Sequence, residues 1–158
     1  MIENLSKEIF EKIEQVFGSY HRLVLLVAPA GAGKTAVLKK VLQDLDVPFL
    51  NLNLEISRRM LDLTERQRAL QVHILLEDIL READNEVVIL DNIEILFEVS
   101  LRQDPLRLLQ GISRNRTIVA AWNGEIKDKT LTYATPEHPE YRRYPANELI
   151  LTEILPNF

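Results

Sequence analysis

Hydrophobic residues follow two different patterns along the chain, and the two patterns alternate. Apolar side chains recur at spacings of three and four over residues 1–17, 37–42 and 69–83, which predicts amphipathic helices. Short apolar runs at 22–28, 86–91 and 117–123 are typical of strands that are buried on both faces. The segments 49–53 and 148–154 are further strand candidates.

Capping signals mark two helix starts. Thr64 with Gln67 fits a capping box, and Asp104 before Pro105 fits an N-cap followed by proline in the first helical turn. The stretch GEIKDKTLTYATPEHPEYRRYPAN (124–147) is polar and contains proline, so we expect a long loop there.

Strands that alternate with helices predict an α/β fold with a parallel sheet between helical layers. We expect a single domain over 1–158, with an N-terminal helix over 1–18 and a core over 22–154. Five strands are predicted, in the order 5-1-4-3-2. The carboxyl ends of parallel strands share one edge of the sheet, where ligands bind in such folds.

The segment APAGAGKT (28–35) matches the Walker A pattern G-x-x-x-x-G-K-[ST], with Ala28 in place of the first glycine. Such a loop turns its backbone N–H groups toward a polyphosphate, and the following helix directs its positive end to the same place. The lysine can reach phosphate oxygens and the threonine hydroxyl can bind Mg²⁺. The predicted nucleotide-binding residues are Pro29, Ala30, Gly31, Ala32, Gly33, Lys34, Thr35 and Ala36.

The stretch VVILDNIEILF (87–97) fits a Walker B strand that ends in an acid. Asp91 is expected to share Mg²⁺ with Thr35, although a strand-terminal aspartate can also cap a helix. Asn92 stands where many P-loop ATPases carry a glutamate, and an amide cannot accept a proton from the attacking water. Hydrolysis is therefore either slow or dependent on another carboxylate, for which Glu94 and Glu55 are the candidates.

Five further polar positions are candidate catalytic residues. Asn123 ends the strand 117–123, where it could sense the γ-phosphate or could begin an Asn-Gly turn. Arg142 and Arg143 precede the last strand, and in AAA+ ATPases an arginine near this distance beyond the sensor position reaches the active site of a neighbouring subunit; similarity to those proteins would imply this role for one of the pair, and the alternative is a solvated pair. Arg114 and Arg116 are weaker candidates for that role.

Charge and composition exclude several classes of protein. The chain has a formal net charge of −5, so it should repel a nucleic-acid duplex unless a local basic patch or a basic partner compensates. It contains no cysteine, which agrees with a reducing, cytoplasmic location. No apolar run approaches the length that would cross a membrane, and we expect no membrane partner.

Several stretches resemble one known family. LDNIEILF, DPLRLLQGISRNRTIVAAWNG and YRRYPANELILTE are similar to the small P-loop protein, the F component, of bacterial BREX bacteriophage-exclusion systems. The resemblance spans essentially the whole chain and implies a cytoplasmic ATP-binding subunit of a defence complex, which meets DNA only indirectly through partners. More broadly the chain resembles an AAA+ ATPase core, but it ends four residues after its last predicted strand, so we expect no helical lid.

Three functions remain open from the sequence. The first is an AAA+-like ATPase that binds ATP or ADP with Mg²⁺ and forms a homo-oligomer through nucleotide held between subunits. The second is a nucleotide-dependent scaffold with little hydrolysis, which Asn92 favours. The third is a small-molecule kinase, with Arg58 and Arg59 as the hint of an acceptor pocket. Tyr20 and His21, which precede the first strand, are candidates for contact with the adenine.

Overall fold

The computed structural model describes residues 1–156. The elements follow one another as α1 (Ile2–Val16), β1 (Leu23–Ala28), α2 (Lys34–Leu45), β2 (Phe49–Asn51), α3 (Leu52–Met60), α4 (Glu65–Ala83), β3 (Val87–Asp91), two short 3-10 helices (Glu94–Phe97 and Val99–Leu101), α5 (Pro105–Ile112), β4 (Thr117–Lys127), β5 (Thr130–Tyr133), β6 (Arg142–Pro145) and β7 (Ile150–Glu153). Both predicted caps are present, since Thr64 and Gln67 form a reciprocal capping box and Asp104 accepts from the Arg107 N–H.

Five parallel strands form the centre of the fold, in the order β2-β3-β4-β1-β7. The predicted parallel α/β sheet is therefore confirmed, and β4 lies between the P-loop strand β1 and the Walker B strand β3. The register aligns Ala28 with Asn123 and Asn51 with Asp91. The ends of four strands are thereby brought to one edge of the sheet.

Two hydrophobic clusters lie on the two faces of this sheet. The cluster on one face is closed by α1 and α2, and the cluster on the other by α3, α4 and α5. Successive residues of β1 join opposite clusters, because side chains alternate across a strand. Those of the α1/α2 side are Val24, Leu26 and Ala28, and those of the other side are Leu23, Leu25 and Val27.

The expected long loop at 124–147 is wrong in large part. β4 continues to Lys127, turns at two residues with positive φ (Asp128, 51°; Lys129, 59°), and pairs antiparallel with β5, which pairs with β6. Residues 1–156 therefore contain seven strands where five were predicted. The missed signal is the alternation in TLTY (130–133), which buries Leu131 and Tyr133 and leaves the two threonines half-buried.

A second correction concerns the segment 49–53. The strand β2 ends at Asn51, because the side chain of this residue accepts a hydrogen bond from the Leu54 N–H (3.1 Å) and caps α3. Glu55 therefore lies in the first turn of a helix that the hydrophobic pattern did not indicate. Within the described residues, no helix combines the length and apolar character that a membrane span needs.

Candidate nucleotide-binding site

The loop between β1 and α2 has the backbone that the Walker A pattern requires. Gly31 has φ 79° and Gly33, the N-cap of α2, has φ 100°. Both values lie in the region that L-amino acids rarely adopt. A Cβ atom at either glycine would meet no atom within 4 Å, so the requirement comes from the backbone angle and not from lack of space.

Lys34 folds back over this loop. Its side chain is buried, and Nζ donates to the carbonyls of Ala28 and Pro29, both at 2.9 Å. Burial lowers the pKa of the ammonium, while the nearby charges of Glu94 and Asp91 act in the opposite direction. The ammonium group is thus held at the mouth of the loop, with two carboxylates near it.

The threonine that follows is joined to the Walker B strand. The Thr35 hydroxyl donates to Asp91 Oδ2 (2.8 Å), and the Asn92 backbone N–H donates to Asp91 Oδ1 (3.0 Å). Asp91 is 5% exposed at the end of β3. A hydroxyl and a carboxylate at this separation are oxygen ligands of the kind that Mg²⁺ prefers, so these residues fit the predicted metal site.

Glu94 lies between two amide side chains. Its Oε1 accepts from Asn123 Nδ2 (2.7 Å) and its Oε2 accepts from Asn53 Nδ2 (3.2 Å). Asn53 is itself fixed, because its Oδ1 accepts from the Ile95 N–H at 2.8 Å. Three strand ends therefore contribute to one hydrogen-bond network: the residues after β2 and β3, and Asn123 in β4.

The backbone at Asn92 explains how Glu94 reaches this position. Asn92 adopts a left-handed conformation (φ 51°), and its carbonyl accepts from the Asn53 N–H at 2.8 Å. The 3-10 helix Glu94–Phe97 follows directly. The carboxylate therefore belongs to the third residue after Asp91 and not to the residue directly after it. Its charge still acts on the pKa of the Lys34 ammonium.

The other predicted catalytic residues lie in different surroundings. Glu55 is paired with Arg59 on the same helix (2.8 Å), which leaves Glu94 as the carboxylate in the network. Arg142 and Arg143 lie on β6: Arg142 donates to the carbonyl of Gln103 (2.7 Å), whereas Arg143 is exposed. Their predicted role toward a neighbouring subunit stays a prediction.

Asn123 does not begin a turn. β4 runs on through Gly124, where a Cβ atom would lie 1.8 Å from the Thr132 carbonyl oxygen. The Trp122 indole N–H donates to the same oxygen at 3.0 Å. Glycine is therefore required at position 124 for β5 to lie this close to β4. Beyond the parallel sheet, β4 continues as the partner of β5.

Aromatic side chains hold the β4–β5–β6 extension against the Walker B segment. Phe97 stacks on Tyr133 (centroids 3.5 Å apart) and meets Trp122 edge to face at 5.1 Å. Tyr144 donates to Asp104 (2.9 Å). Burial raises the pKa of Tyr133 to about 12 and raises that of Tyr144 further, so both phenols stay protonated at neutral pH.

Two cavities border the loop. One of about 400 Å³ is lined by Pro29 and Ala30 of the loop and by residues of the extension, including Glu125 and Tyr133. The other, of about 380 Å³, lies between Ala32 and the segment that follows β7. Tyr20 and His21 border neither cavity: they precede β1, about 20 Å from its carboxyl end, and His21 is hydrogen-bonded to the Gln110 carbonyl. This position does not support the adenine contact suggested for the pair, which stays a prediction.

Sequence reasoning missed Asn53, Gly124 and Tyr133. Asn53 was assigned to a strand, and its role depends on contacts with residues about 40 positions away. A signal for Asn53 existed in the Asn51 N-cap, which places the next polar side chains in a first helical turn.

The fold and the site define a P-loop nucleotide-binding protein. Residues 24–123 match the ATPase family associated with various cellular activities (AAA), which is more than half of the chain. The chain therefore belongs to the AAA ATPase family.

Among solved structures, C. elegans PCH-2 is similar to the chain, with a TM-score of 0.42 and 18% identity. The match covers 77% of this chain and 36% of that one, so the chain spans about a third of the length of PCH-2. No curated protein matches the chain.

Proposed function

We propose that this AAA family member binds ATP with Mg²⁺ and hydrolyses it, as a cytoplasmic subunit of a phage-defence complex. The observation that carries the proposal is the convergence of Lys34, Thr35, Asp91 and Glu94 on the carboxyl edge of the sheet. The position of β4 between β1 and β3 favours an ATPase over a small-molecule kinase.

Polyphosphate binding follows from the loop. Residues 30–36 provide backbone N–H groups at the start of α2, and Gly31 and Gly33 permit the angles that turn those groups inward. Lys34 would exchange its two carbonyl acceptors for phosphate oxygens, which compensate a buried ammonium better because they carry charge. The loop thus suits ATP and ADP.

Thr35 and Asp91 are the residues that would hold the magnesium ion, whose chemistry is to neutralise charge on the phosphates. Their hydrogen bond joins the first turn of α2 to the end of β3, so the two oxygens are already close together. The hydrogen bond from Asn92 orients the carboxylate.

Glu94 is the group best placed to accept a proton from water. Two amide donors hold the carboxylate in one orientation, at the edge of the sheet where the loop lies. Asn123 contributes by positioning this carboxylate and by its place at the end of the parallel part of β4, opposite Ala28 and next to the loop. Glu55 is a poorer candidate for the base because its carboxylate forms an ion pair with Arg59.

Assembly through nucleotide is the remaining part of the proposal. Arg143 is exposed at the edge of the extension and is available to an adjacent copy, whereas Arg142 is engaged with Gln103. A guanidinium supplied in trans would stabilise charge that develops on the transferred phosphoryl group. We therefore favour Arg143 over Arg142 as the residue that acts between subunits of a homo-oligomer.

The defence role is supported by sequence resemblance alone. LDNIEILF contains Asp91 and Glu94, and DPLRLLQGISRNRTIVAAWNG ends at Asn123 and Gly124, so the stretches that resemble the BREX F component coincide with the site. The absence of cysteine from the 158 residues supports a cytoplasmic location. Partners would be the other subunits of that complex.

Titration calorimetry with ATP, in the presence of Mg²⁺ and after its removal by a chelator, tests the binding part. Binding should tighten with Mg²⁺, Lys34→Ala should weaken binding by about 10- to 100-fold, and Asp91→Asn should remove the Mg²⁺ dependence. Arg58→Gln, on the exposed face of α3, is a control that should bind normally. A folded wild-type chain that binds neither ATP nor ADP would refute the proposal.

Asn92 favours a second candidate, a nucleotide-dependent scaffold that hydrolyses little ATP. An amide follows Asp91 directly, and the carboxylate of the network, Glu94, lies three residues after Asp91 with both of its oxygens engaged by amide donors. Sedimentation with ADP and with a non-hydrolysable ATP analogue, combined with single-turnover hydrolysis, separates the two. Nucleotide-dependent association without turnover would select the scaffold.

A further inference from the structure

A second surface of interest lies at the opposite edge of the sheet from the P-loop. The segment between α1 and β1 runs beside the segment between α5 and β4, and the Arg22 N–H donates to the Ser113 carbonyl at 2.7 Å. We call the side chains displayed there the aromatic–arginine patch. Its members are Phe17, Tyr20, His21, Arg22, Arg114 and Arg116.

Aromatic rings in this patch are exposed and accompanied by guanidinium groups. Phe17 is 63% exposed and Tyr20 is 67% exposed. The Arg22 guanidinium lies 4.4 Å from the centroid of Phe17, and the Arg114 guanidinium lies 4.7 Å from the centroid of Tyr20. Each guanidinium covers part of one ring, and the remaining ring surface is open to solvent.

Charge in the patch is unevenly compensated. Arg22 pairs with Glu86 (3.2 Å), and Arg116 pairs with Glu77 (3.5 Å). Arg114 is exposed and has no ion pair within residues 1–156. Arg114 is therefore the guanidinium of the patch that no ion pair within the described chain engages, on a chain whose formal net charge is −5.

From this arrangement we infer that the aromatic–arginine patch binds single-stranded nucleic acid, with bases stacked on Tyr20 and Phe17 and a backbone phosphate on Arg114. Open aromatic faces accept any base, and an uncompensated guanidinium attracts phosphate. A duplex could place a phosphate on Arg114, but its bases are already stacked on one another and would not stack on Tyr20 and Phe17. Arg114 supplies a positive charge beside the open rings, without an ion-pair partner in the part of the chain that the structure describes.

The inference is independent of the ATPase proposal. The patch lies before the first residues of β1 and β4. The P-loop follows β1, and Asn123 ends the parallel part of β4, so six residues of strand, about 20 Å, separate the two sites. Loss of one activity therefore need not affect the other. It also departs from the expectation that DNA is met only through partners.

Fluorescence anisotropy of the full-length chain with a labelled oligothymidylate of about 16 nucleotides tests the inference, since this length spans the usual site size. Tyr20→Ala should weaken binding at least about fivefold, and Tyr20→Phe should retain it because the ring remains. Arg114→Gln should reduce the slope of log K against log salt by about 0.7, the value for one phosphate of a single strand. Arg58→Gln, an exposed arginine on α3, should change neither quantity.

Three results would overturn the inference. The first is no binding at low salt, and the second is equal binding by wild type and Tyr20→Ala. The third is displacement of the oligonucleotide by polyglutamate as effectively as by unlabelled oligonucleotide, which would identify an acidic protein as the occupant. Because Tyr20 is largely exposed, its truncation should leave the thermal midpoint unchanged, which excludes misfolding as the cause of a loss.

Discussion

Replacement of Glu94 by glutamine is the most direct test of the site. The change keeps the length and shape of the side chain and removes its negative charge and its capacity to accept a proton. The carboxylate accepts from Asn123 at 2.7 Å and from Asn53 at 3.2 Å, and Asn53 cannot reverse its amide without losing the Ile95 N–H. Glutamine offers one acceptor oxygen to these two donors.

The magnitude follows from these contacts. Loss of a general base lowers the rate by about 10²- to 10⁴-fold, which is about 3–5 kcal/mol on the activation barrier. One amide donor loses its acceptor, but Asn53 and Asn123 are half-buried and water can replace it, so unfolding should become easier by only about 1 kcal/mol. ATP affinity should change little, because Glu94 does not belong to the phosphate loop.

Single-turnover hydrolysis of labelled ATP by purified protein, with binding measured in parallel, is the appropriate assay. Glu55→Gln is the matched control: it removes a carboxylate of the same type that is paired with Arg59 on the surface of α3. The control should lose no more than a few-fold in rate. If Glu94→Gln hydrolyses ATP as fast as wild type while Glu55→Gln does not, the assignment of the base is wrong.

Two further predictions concern the extension beyond the parallel sheet. Gly124→Ala places a Cβ 1.8 Å from the Thr132 carbonyl oxygen and 2.9 Å from Trp122 Nε1, so β5 must move. We expect the free energy of unfolding to fall by about 2–4 kcal/mol. Urea unfolding, followed by the fluorescence of the single tryptophan, measures this change. Gly111→Ala, in helix α5 with no atom within 4 Å, is the control and should cost nothing or stabilise the fold; equal losses would contradict the close approach. The raised pKa of Tyr133, about 12 against an ordinary 10.0, means that the folded state binds the phenolic proton more tightly, so this stabilisation is complete below pH 10 and is lost as pH rises toward 12. Tyr133→Phe should therefore show a smaller fall in unfolding free energy between pH 9 and about 11.5 than wild type; parallel curves would disprove the assignment.

The order of elements in the parallel part of the fold could be predicted because its signals are local. Buried strands and amphipathic helices can be recognised from the hydrophobic pattern of a few consecutive residues. The AAA family match over 24–123 covers the same region. The extension could not be predicted in this way. Its strands are short, its turn lacks the usual Asn-Gly pair, and Tyr133 packs on Phe97, which is 36 residues away along the chain.

The sequence by itself determined the phosphate loop, because Gly31, Gly33, Lys34 and Thr35 lie within five consecutive residues and act through their own backbone and first helical turn. Only the tertiary structure decided the surroundings of Glu94. Its two amide donors are 29 and 41 residues away, and the order of the parallel strands brings them to one edge. Hydrogen bonds between distant residues depend on strand order and register, and neither of these is written in the spacing of residues along the chain.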